Sequence, residues 1–323
     1  MILLISIVGT GRVGASIAFL CISNGLDDVL LVNTTKEKAI GESLDVASAI
    51  PANSKFSIRG TDDYSELVGS DIVVIAASVG VYTKDRAENI DYQVAMIKDI
   101  AEKIKQYCPS AIVLIVSNPL DVLTYFFQKT SGFSRFKVIG IASSLDTSRF
   151  RYYISETLSV PQSSVSNALV LGEHGDSMVP IFSGVSVGGN PLFSMIDSRD
   201  TITENVRNYW RTLRNFKSRS QFGIAKNTFD VIDAISNKKE ISIPASIVLE
   251  GEYGEHNVAM GVPVKINQNG VIEIQQLKLD DTESSSLKKS SQKIRNDINH
   301  REKRIPTNRN ARKDWDHGIT MFS

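Results

Sequence analysis

The stretch that decides the fold is Ile2-Leu3-Leu4-Ile5-Ser6-Ile7-Val8-Gly9-Thr10-Gly11-Arg12-Val13-Gly14. Its apolar first half predicts a strand buried on both faces, as in a parallel sheet. The glycines follow as G-x-G-x-x-G where helical spacing begins. There Gly9 permits a tight turn, Gly11 lets a pyrophosphate approach backbone N–H groups, and Gly14 lets the helix pack closely. The stretch predicts a dinucleotide site formed by Gly9, Gly11, Arg12 and Gly14.

Beyond this stretch, β-rich runs alternate with helical segments. The predicted strands are Ile2–Val8, Val29–Asn33, Lys55–Arg59, Asp71–Ala77, Ala111–Ser117 and Val138–Ala142. The predicted helices are Arg12–Asn24, Lys36–Ile50, Tyr92–Tyr107 and Pro119–Thr130. This alternation predicts βαβ units with right-handed crossovers, and so an α/β fold. We expect residues 1–142 to form an N-terminal Rossmann domain with a doubly wound parallel sheet.

The rhythm changes after Ala142. Helices are predicted at Ser144–Leu158, Thr201–Lys217, Gln221–Asn237 and Asp280–Asn299, and strands at Val165–Leu171 and Ile181–Gly188. Three further runs predict an antiparallel set, Ile241–Leu249, Val258–Ile266 and Val271–Gln275. These elements predict a C-terminal α+β catalytic domain at 143–300. Residues 301–323 hold six Lys/Arg and three Asp/Glu, which predicts a disordered tail; the alternative is that Trp315 docks on a neighbouring subunit.

Composition excludes several classes of protein. The 323 residues carry 36 Lys+Arg and 36 Asp+Glu, so the zero net charge predicts no nucleic-acid partner. No apolar run approaches the roughly 20 residues of a membrane helix, so no membrane partner is expected. Only Cys21 and Cys108 are present, which excludes a disulfide framework and favours a reduced, cytoplasmic protein.

The second strand leaves the choice of cofactor open. Asn33 lies 19 residues after Gly14, where an acidic side chain would bind the ribose 2′-hydroxyl. Asn33 can bind a hydroxyl, and it carries no charge that would repel a 2′-phosphate. We therefore expect NAD or NADP as the cofactor; the alternative is that Asn33 serves NAD less selectively.

Among the four histidines, only His174 is flanked by glycines just after an apolar strand. Asp146 and Arg149 share one face of a predicted helix at i and i+3. A carboxylate there could orient the imidazole while the guanidinium binds an anion. The alternative is a structural histidine beside a surface ion pair of little energetic value.

Two further candidate site residues are identified by their places in the chain. Asn118 follows a strand of the first half, and because ligands of open α/β sheets bind beyond the carboxyl ends of the strands, we expect it to bind the cofactor near its reactive end. Arg86 lies in Ser78–Asn89, whose composition predicts a mobile loop that could close on a substrate. An ordinary turn asparagine and a solvent-exposed arginine are the alternatives.

Together these residues identify a family. From Ile2 to about Asn299 the chain resembles the lactate/malate dehydrogenases, NAD(P)-dependent oxidoreductases of 2-hydroxy acids. The most specific pieces are the glycine loop, Val116-Ser117-Asn118-Pro119-Leu120-Asp121-Val122, Leu145-Asp146-Thr147-Ser148-Arg149-Phe150, Gly172-Glu173-His174-Gly175-Asp176-Ser177 and Leu249-Glu250-Gly251-Glu252-Tyr253-Gly254.

The resemblance implies roles for the matching positions. His174 would donate and accept the proton, with its imidazole held by Asp146. Arg149 would bind the substrate carboxylate through two hydrogen bonds. Arg86 would polarise the reacting carbonyl, Asn118 would bind near its oxygen, and Ser220 would face the substrate. The resemblance also implies a homodimer or homotetramer.

The resemblance does not decide the substrate, because Gly80 stands at the position that usually distinguishes malate from lactate enzymes. Malate enzymes commonly carry Arg at this position and lactate enzymes commonly carry Gln. If the substrate is oxaloacetate, another cation must meet its distal carboxylate, and Lys84 and Arg219 are the candidates. Malate is favoured because Met178-Val179-Pro180 and Leu249–Gly254 look more like malate-type relatives; lactate or another 2-hydroxy acid is the alternative.

Three rival classes are weighed. Tyr125 and Lys129 match the Tyr-x-x-x-Lys pair of short-chain dehydrogenases, but the glycine spacing does not match. An NAD-dependent glycoside hydrolase would be expected to bind a metal through Cys and His, and neither cysteine neighbours a histidine, so no metal site is predicted. A non-catalytic dinucleotide sensor would not need His174, Asp146 and Arg149 together.

Overall fold

The computed structural model describes residues 3–80, 86–192, 195–196 and 199–304, with side chains except at 86–88 and 304. The strands of the first half are β1 (Leu4–Val8), β2 (Asp28–Val32), β3 (Ile58–Thr61), β4 (Ile72–Ile75), β5 (Ile112–Ile115) and β6 (Val138–Gly140). The helices between them are α1 (Arg12–Ser23), α2 (Lys36–Ala47), α3 (Arg86–Tyr107) and α4 (Leu120–Ser131).

The six strands pair in parallel in the order β3-β2-β1-β4-β5-β6. The predicted doubly wound Rossmann sheet is therefore confirmed. Every residue of β4 and β5 is buried, because helices cover both faces of such a sheet, and each buried aliphatic side chain contributes about 1.5–3 kcal/mol. The strand order reverses between β1 and β4, where sheets of this kind bind ligands.

The second half combines helices with short strands. Its helices are α5 (Ser143–Leu158), α6 (Arg199–Arg214), α7 (Phe222–Ser236) and α8 (Asp281–Arg304). Its strands are β7 (Val165–Ser166), β8 (Leu169–Leu171), β9 (Val179–Ile181), β10 (Ser186–Val187), β11 (Asn190–Pro191), β12 (Ile241–Glu250), β13 (His256–Asn267) and β14 (Gly270–Ile274). The predicted antiparallel set is confirmed as β12-β13-β14.

This antiparallel set extends the parallel sheet to nine strands. Ser246 of β12 pairs with Gly140 of β6. A Cβ at Gly140 would lie 2.6 Å from the Thr124 hydroxyl oxygen and 2.8 Å from the Ser246 Cβ, so only glycine fits at this junction. The predicted boundary near residue 142 falls between β6 and α5, two elements that follow each other directly.

Most predicted strands differ from the observed bounds by one or two residues, and three depart further. Val165–Leu171 is two strands rather than one, because Asn167 has a φ of 57°, which breaks the extended backbone. Ile181–Gly188 is likewise divided, since β9 ends at Ile181 and β10 begins at Ser186. The third strand begins at Ile58 rather than Lys55.

The predicted disordered tail is wrong in its first four residues. Helix α8 continues to Arg304, and Arg301 is only 2% exposed. The Arg301 guanidinium pairs with Asp297 at 2.9 Å and with Asp91 at 3.6 Å, so the last turn is fixed to α3. Residues 305–323, with Trp315, lie outside the described residues. Within the described part of the chain, no helix combines the length and apolar character needed to cross a membrane.

Candidate active site

The glycine loop joins β1 to α1 in a shape that suits a dinucleotide. Gly9 has a φ of +100°, and a Cβ at Gly14 would lie 2.0 Å from the Gly9 carbonyl oxygen, so close packing of helix and strand requires glycine there. A Cβ at Gly11 would meet no atom of the described residues within 4 Å. Gly11 caps α1 without a side-chain hydrogen bond. The first N–H groups of the helix can therefore bind an anion such as a pyrophosphate, which could approach closely at Gly11.

Asn33 lies at the carboxyl end of β2, next to this loop. Its Nδ2 donates to the Thr10 hydroxyl at 2.7 Å, and its Oδ1 accepts the Thr35 N–H at 3.0 Å. These two bonds fix the side chain beside the glycine loop, and the contact with a ribose that the sequence predicts for Asn33 stays a prediction.

The structure brings the predicted catalytic residues together. His174 follows β8, and Asp146 and Arg149 lie on α5. His174 Nδ1 is 2.6 Å from Asp146 Oδ2, and Arg149 Nη1 donates to Asp146 Oδ1 at 3.0 Å. Asp146 is 1% exposed and His174 17% exposed. One buried carboxylate therefore binds the imidazole and the guanidinium at the same time.

Two opposing effects act on His174. Burial lowers the pKa of the imidazole, but the charge of Asp146 and its hydrogen bond raise it, with a small opposing effect from Arg149. The net result is that the pKa of His174 lies above its ordinary value. The protonated ring is therefore stabilised, as the group that donates a proton requires.

Two residues of this cluster were missed by sequence reasoning. Tyr209 of α6 lies over the Arg149 guanidinium, 4.5 Å from its ring centroid. Asp121 of α4 accepts the backbone N–H of His174 at 2.8 Å. Both contacts join residues more than 50 positions apart, which no local pattern reveals. The Asp121 contact places His174 beyond the carboxyl end of β5, at the edge of the sheet that carries the glycine loop.

Asn118 lies at this same edge. The preceding Ser117 hydroxyl donates to the carbonyls of Ile75 and Ala77 at 3.1 and 2.6 Å, which fixes the ends of β4 and β5 to each other. Asn118 itself is exposed beyond β5.

The segment after β4 leads to two predicted substrate residues. The start of this segment is fixed by the Gln93 side chain. Its Oε1 accepts the Val79 N–H at 3.2 Å, and its Nε2 donates to the Val79 carbonyl at 3.0 Å. Gly80 is exposed, and a Cβ there would meet no described atom within 4 Å. Helix α3 begins at Arg86 and not at the predicted Tyr92, so the prediction of a loop through Asn89 is wrong from Arg86 onward. The side chain of Arg86 lies outside the described residues, as does all of Lys84.

Ser220 is half-buried between α6 and α7. Bonds on both sides of Ser220 join its segment to α1, since Ser218 accepts from Arg12 Nη1 at 2.7 Å and Gln221 Nε2 donates to the Ser16 hydroxyl at 2.8 Å. The segment therefore lies beside the helix that follows the glycine loop. No local signal in the sequence predicts these two contacts.

Tyr125 and Lys129, the candidate pair of a short-chain dehydrogenase, bind a residue of α8 instead. Both side chains bind Glu302 of α8, at 2.9 Å from the Tyr125 hydroxyl and 2.5 Å from the Lys129 ammonium. Burial and Glu302 raise the pKa of Tyr125, the reverse of what a proton-transferring tyrosine needs. Cys21 and Cys108, the cysteines of the hydrolase alternative, are buried free thiols.

Comparisons with known proteins agree with this geometry. Residues 3–140 match the model of the lactate/malate dehydrogenase NAD binding domain, and residues 143–305 match that of the alpha/beta C-terminal domain. The chain is 32% identical to L-lactate dehydrogenase 2 of Lactococcus lactis over 90% of its length and 95% of the relative's. It is 34% identical to malate dehydrogenase of Ehrlichia canis, over 90% and 96%.

A solved structure shows the same fold. It is the Cryptosporidium parvum lactate dehydrogenase complexed with lactic acid and nicotinamide adenine dinucleotide, with a TM-score of 0.89 and 34% identity over 95% of this chain and 99% of that one. The predicted resemblance is therefore confirmed. The chain belongs to the lactate/malate dehydrogenase family, whose members are NAD-dependent 2-hydroxy acid dehydrogenases.

Proposed function

We propose that the chain is a malate dehydrogenase that interconverts oxaloacetate and malate with NAD(H) or NADP(H). The observation that carries the chemistry is the His174-Asp146-Arg149 cluster at the edge of the sheet that holds the glycine loop. When bound, the nicotinamide supplies the hydride in the reduction and accepts it in the oxidation. The backbone at Gly9, Gly11, Arg12 and Gly14, with Asn33, holds the dinucleotide.

Arg149 binds the carboxylate next to the reacting carbon. Its Nη1 donates to Asp146 at 3.0 Å, which fixes the guanidinium next to the imidazole. A substrate carboxylate would bind the guanidinium in a two-point contact, because the planar fork of N–H groups matches that planar anion. Tyr209 packs on the guanidinium and keeps its plane fixed.

His174 moves the proton. Because Asp146 holds Nδ1, the proton for the keto oxygen comes from Nε2. In the reverse reaction Nε2 accepts the hydroxyl proton, and Asp146 stabilises the imidazolium that forms. Such a positioned acid contributes about 10²–10⁴-fold in rate. Asn118 and Arg86, by resemblance, bind and polarise the reacting carbonyl, where negative charge develops.

Substrate choice depends on the open space at Gly80. Oxaloacetate needs a cation for its distal carboxylate, since an unpaired buried charge is costly. Arg219, exposed before α7, is the described candidate. Malate is preferred on the likeness of Met178–Pro180 and Leu249–Gly254 to malate enzymes, while the neutral Gly80 favours lactate as the second candidate.

A matrix of substrates and cofactors tests the proposal. Purified protein is assayed with oxaloacetate or pyruvate and with NADH or NADPH. We expect oxaloacetate to have the higher kcat/KM, with activity on both cofactors. A higher kcat/KM for pyruvate would make the chain a lactate dehydrogenase, and cofactor binding without turnover would support the sensor alternative. His174→Gln is the matched inactive control.

We also propose a homodimer or homotetramer in a reducing cytoplasm, because family members associate and both cysteines are buried free thiols. Light scattering on the purified protein tests the assembly. A monomeric mass would contradict it.

A further inference from the structure

A second carboxylate lies behind the His174 loop, on a different helix from Asp146. Asp121 is in the first turn of α4 and is 3% exposed. Its Oδ2 accepts the backbone N–H of His174 at 2.8 Å, and its Oδ1 accepts the hydroxyl of Ser246 on β12 at 2.6 Å. One side chain therefore joins α4, the His174 loop and the antiparallel part of the sheet.

Burial makes the charged form of Asp121 unfavourable. Burial raises the pKa of Asp121 to about 6, against the lowering effects of the Ser246 bond, the His174 N–H and the His174 charge. A neutral side chain would avoid this cost, since burying a carboxylate is unfavourable unless it is well paired. The partner that gains from the charge is His174, because Asp121 contributes to its raised pKa.

The position of Asp121 in the chain adds a geometric role. Asn118 lies three residues earlier, and its neighbour Ser117 is fixed to the ends of β4 and β5. The turn that carries Asn118 therefore also carries the Asp121 side chain that binds the His174 backbone. Asn118 and His174 are both proposed to bind the same substrate oxygen, so the distance between them must be fixed to within about 0.5 Å.

We propose that Asp121 is a positioning residue that sets the distance between Asn118 and His174 and favours the imidazolium form of His174 by its charge. The inference rests on the proposed role of His174 as proton donor. The charged groups that face the imidazole are Asp146 and Arg149 of α5 and Asp121 of α4. Glu173 faces Asp121 and is neutralised by Lys293 of α8 at 2.7 Å.

Asp121→Asn tests the charge with little change in shape. Its Oδ1 can still accept the His174 N–H, while Ser246 can turn to accept from Nδ2. We expect kcat for keto-acid reduction to fall about tenfold, with KM for NADH within about twofold of the unchanged protein. Because the imidazolium loses a stabilising charge, the fall of the reduction rate at high pH should begin at lower pH.

Ser246→Ala is the second variant and keeps the carboxylate. It removes a bond that lowers the pKa of Asp121, so Asp121 takes up a proton at higher pH. Asp121 then carries less charge near neutral pH, so the fall of the reduction rate at high pH should again begin at lower pH, by less than in Asp121→Asn. This variant serves as the test if Asp121→Asn does not fold.

Glu283→Gln is the matched control. Glu283 of α8 is also a buried carboxylate that accepts backbone N–H groups, from Phe182 and Ser183 at 2.9 Å each, and its hydrogen bonds within the described residues do not reach the His174 loop. We expect it to lower the melting temperature and leave the pH profile unchanged. An Asp121→Asn variant with unchanged kcat and pH profile, or a Glu283→Gln variant with the same shift, would overturn the proposal.

The His174→Gln variant separates the two proposals. If it retains activity, the role of His174 fails and Asp121 has nothing to position. If it is inactive while Asp121→Asn behaves as the unchanged protein, only the inference on Asp121 is wrong.

Discussion

Asp146→Asn changes the partner of His174 without changing its shape. The carboxylate is 1% exposed and lies 2.6 Å from Nδ1, and its charge and hydrogen bond together outweigh the burial that lowers the pKa of the imidazole. Asparagine can still accept from Nδ1 but carries no charge. Burial and the nearby Arg149 then act unopposed by that charge, so the pKa of His174 falls.

The size of the effect follows from the hydrogen bond. A hydrogen bond to a charged partner is worth about 1.5–3 kcal/mol and one between neutral groups about 1 kcal/mol, so the change to asparagine loses about 0.5–2 kcal/mol. At about 1.4 kcal/mol per factor of ten, this loss corresponds to roughly twofold to thirtyfold in rate. Reduction needs the imidazolium, so its rate is highest at pH below the pKa of His174 and falls as pH rises through it. In the variant this fall begins at lower pH.

The assay is kcat/KM for keto-acid reduction across the pH range, followed by NADH absorbance. We expect the variant to lose about twofold to thirtyfold near pH 8 and much less at low pH, where the imidazole is still protonated. Oxidation of the hydroxy acid needs the neutral ring and should show the reverse dependence. Asp99→Asn is the matched control, because Asp99 pairs with Lys103 on the exposed face of α3.

Two results would refute this reasoning. One is a pH profile identical to that of the unchanged protein, since the charge of Asp146 would then not act on His174. The other is a loss that is constant with pH and resides in KM for the keto acid. That result would mean that Asp146 serves Arg149, its other partner at 3.0 Å, and not the imidazole.

The other predictions concern substrate and cofactor choice. Gly80→Arg should raise the ratio of kcat/KM for oxaloacetate over pyruvate by about tenfold or more, because the new side chain has open space and a charge for the distal carboxylate; an unchanged ratio would place Gly80 away from the substrate. Asn33→Asp should lower kcat/KM with NADPH by about tenfold or more and leave NADH little changed, since a carboxylate repels the 2′-phosphate; equal effects on both cofactors would contradict this. Arg149→Lys should raise KM for the keto acid at least about tenfold, because Lys cannot make the two-point contact, and KM for NADH serves as the internal control.

The parallel half could be predicted from the sequence because its information is local. Alternating apolar and helical runs identify each βαβ unit, and the glycines of the first loop mark the end of β1. The approach of Asp146 and Arg149 also follows from local spacing, since residues at i and i+3 share a helix face.

Contacts between distant segments could not be predicted. The Asp121 bond to His174 joins residues 53 positions apart, and the Ser246 bond to Asp121 joins residues 125 apart. The predicted end of α8 is too early for the same reason. The composition around Arg301 suggests a solvated segment, and the ion pair of Arg301 with Asp91 of α3 joins distant parts of the chain. At Asn167 a single left-handed residue divides a run whose apolar pattern is continuous.

The junction of Gly140 with Ser246 has a consequence for dissecting the chain. In the full protein β12 covers the outer side of β6, so β6 is an interior strand. A fragment that ends near residue 142 would leave β6 as a bare edge, with its unpaired backbone groups open to the next molecule. Such a fragment should aggregate rather than bind the dinucleotide as a soluble module, and adding β12 through β14 should restore its solubility.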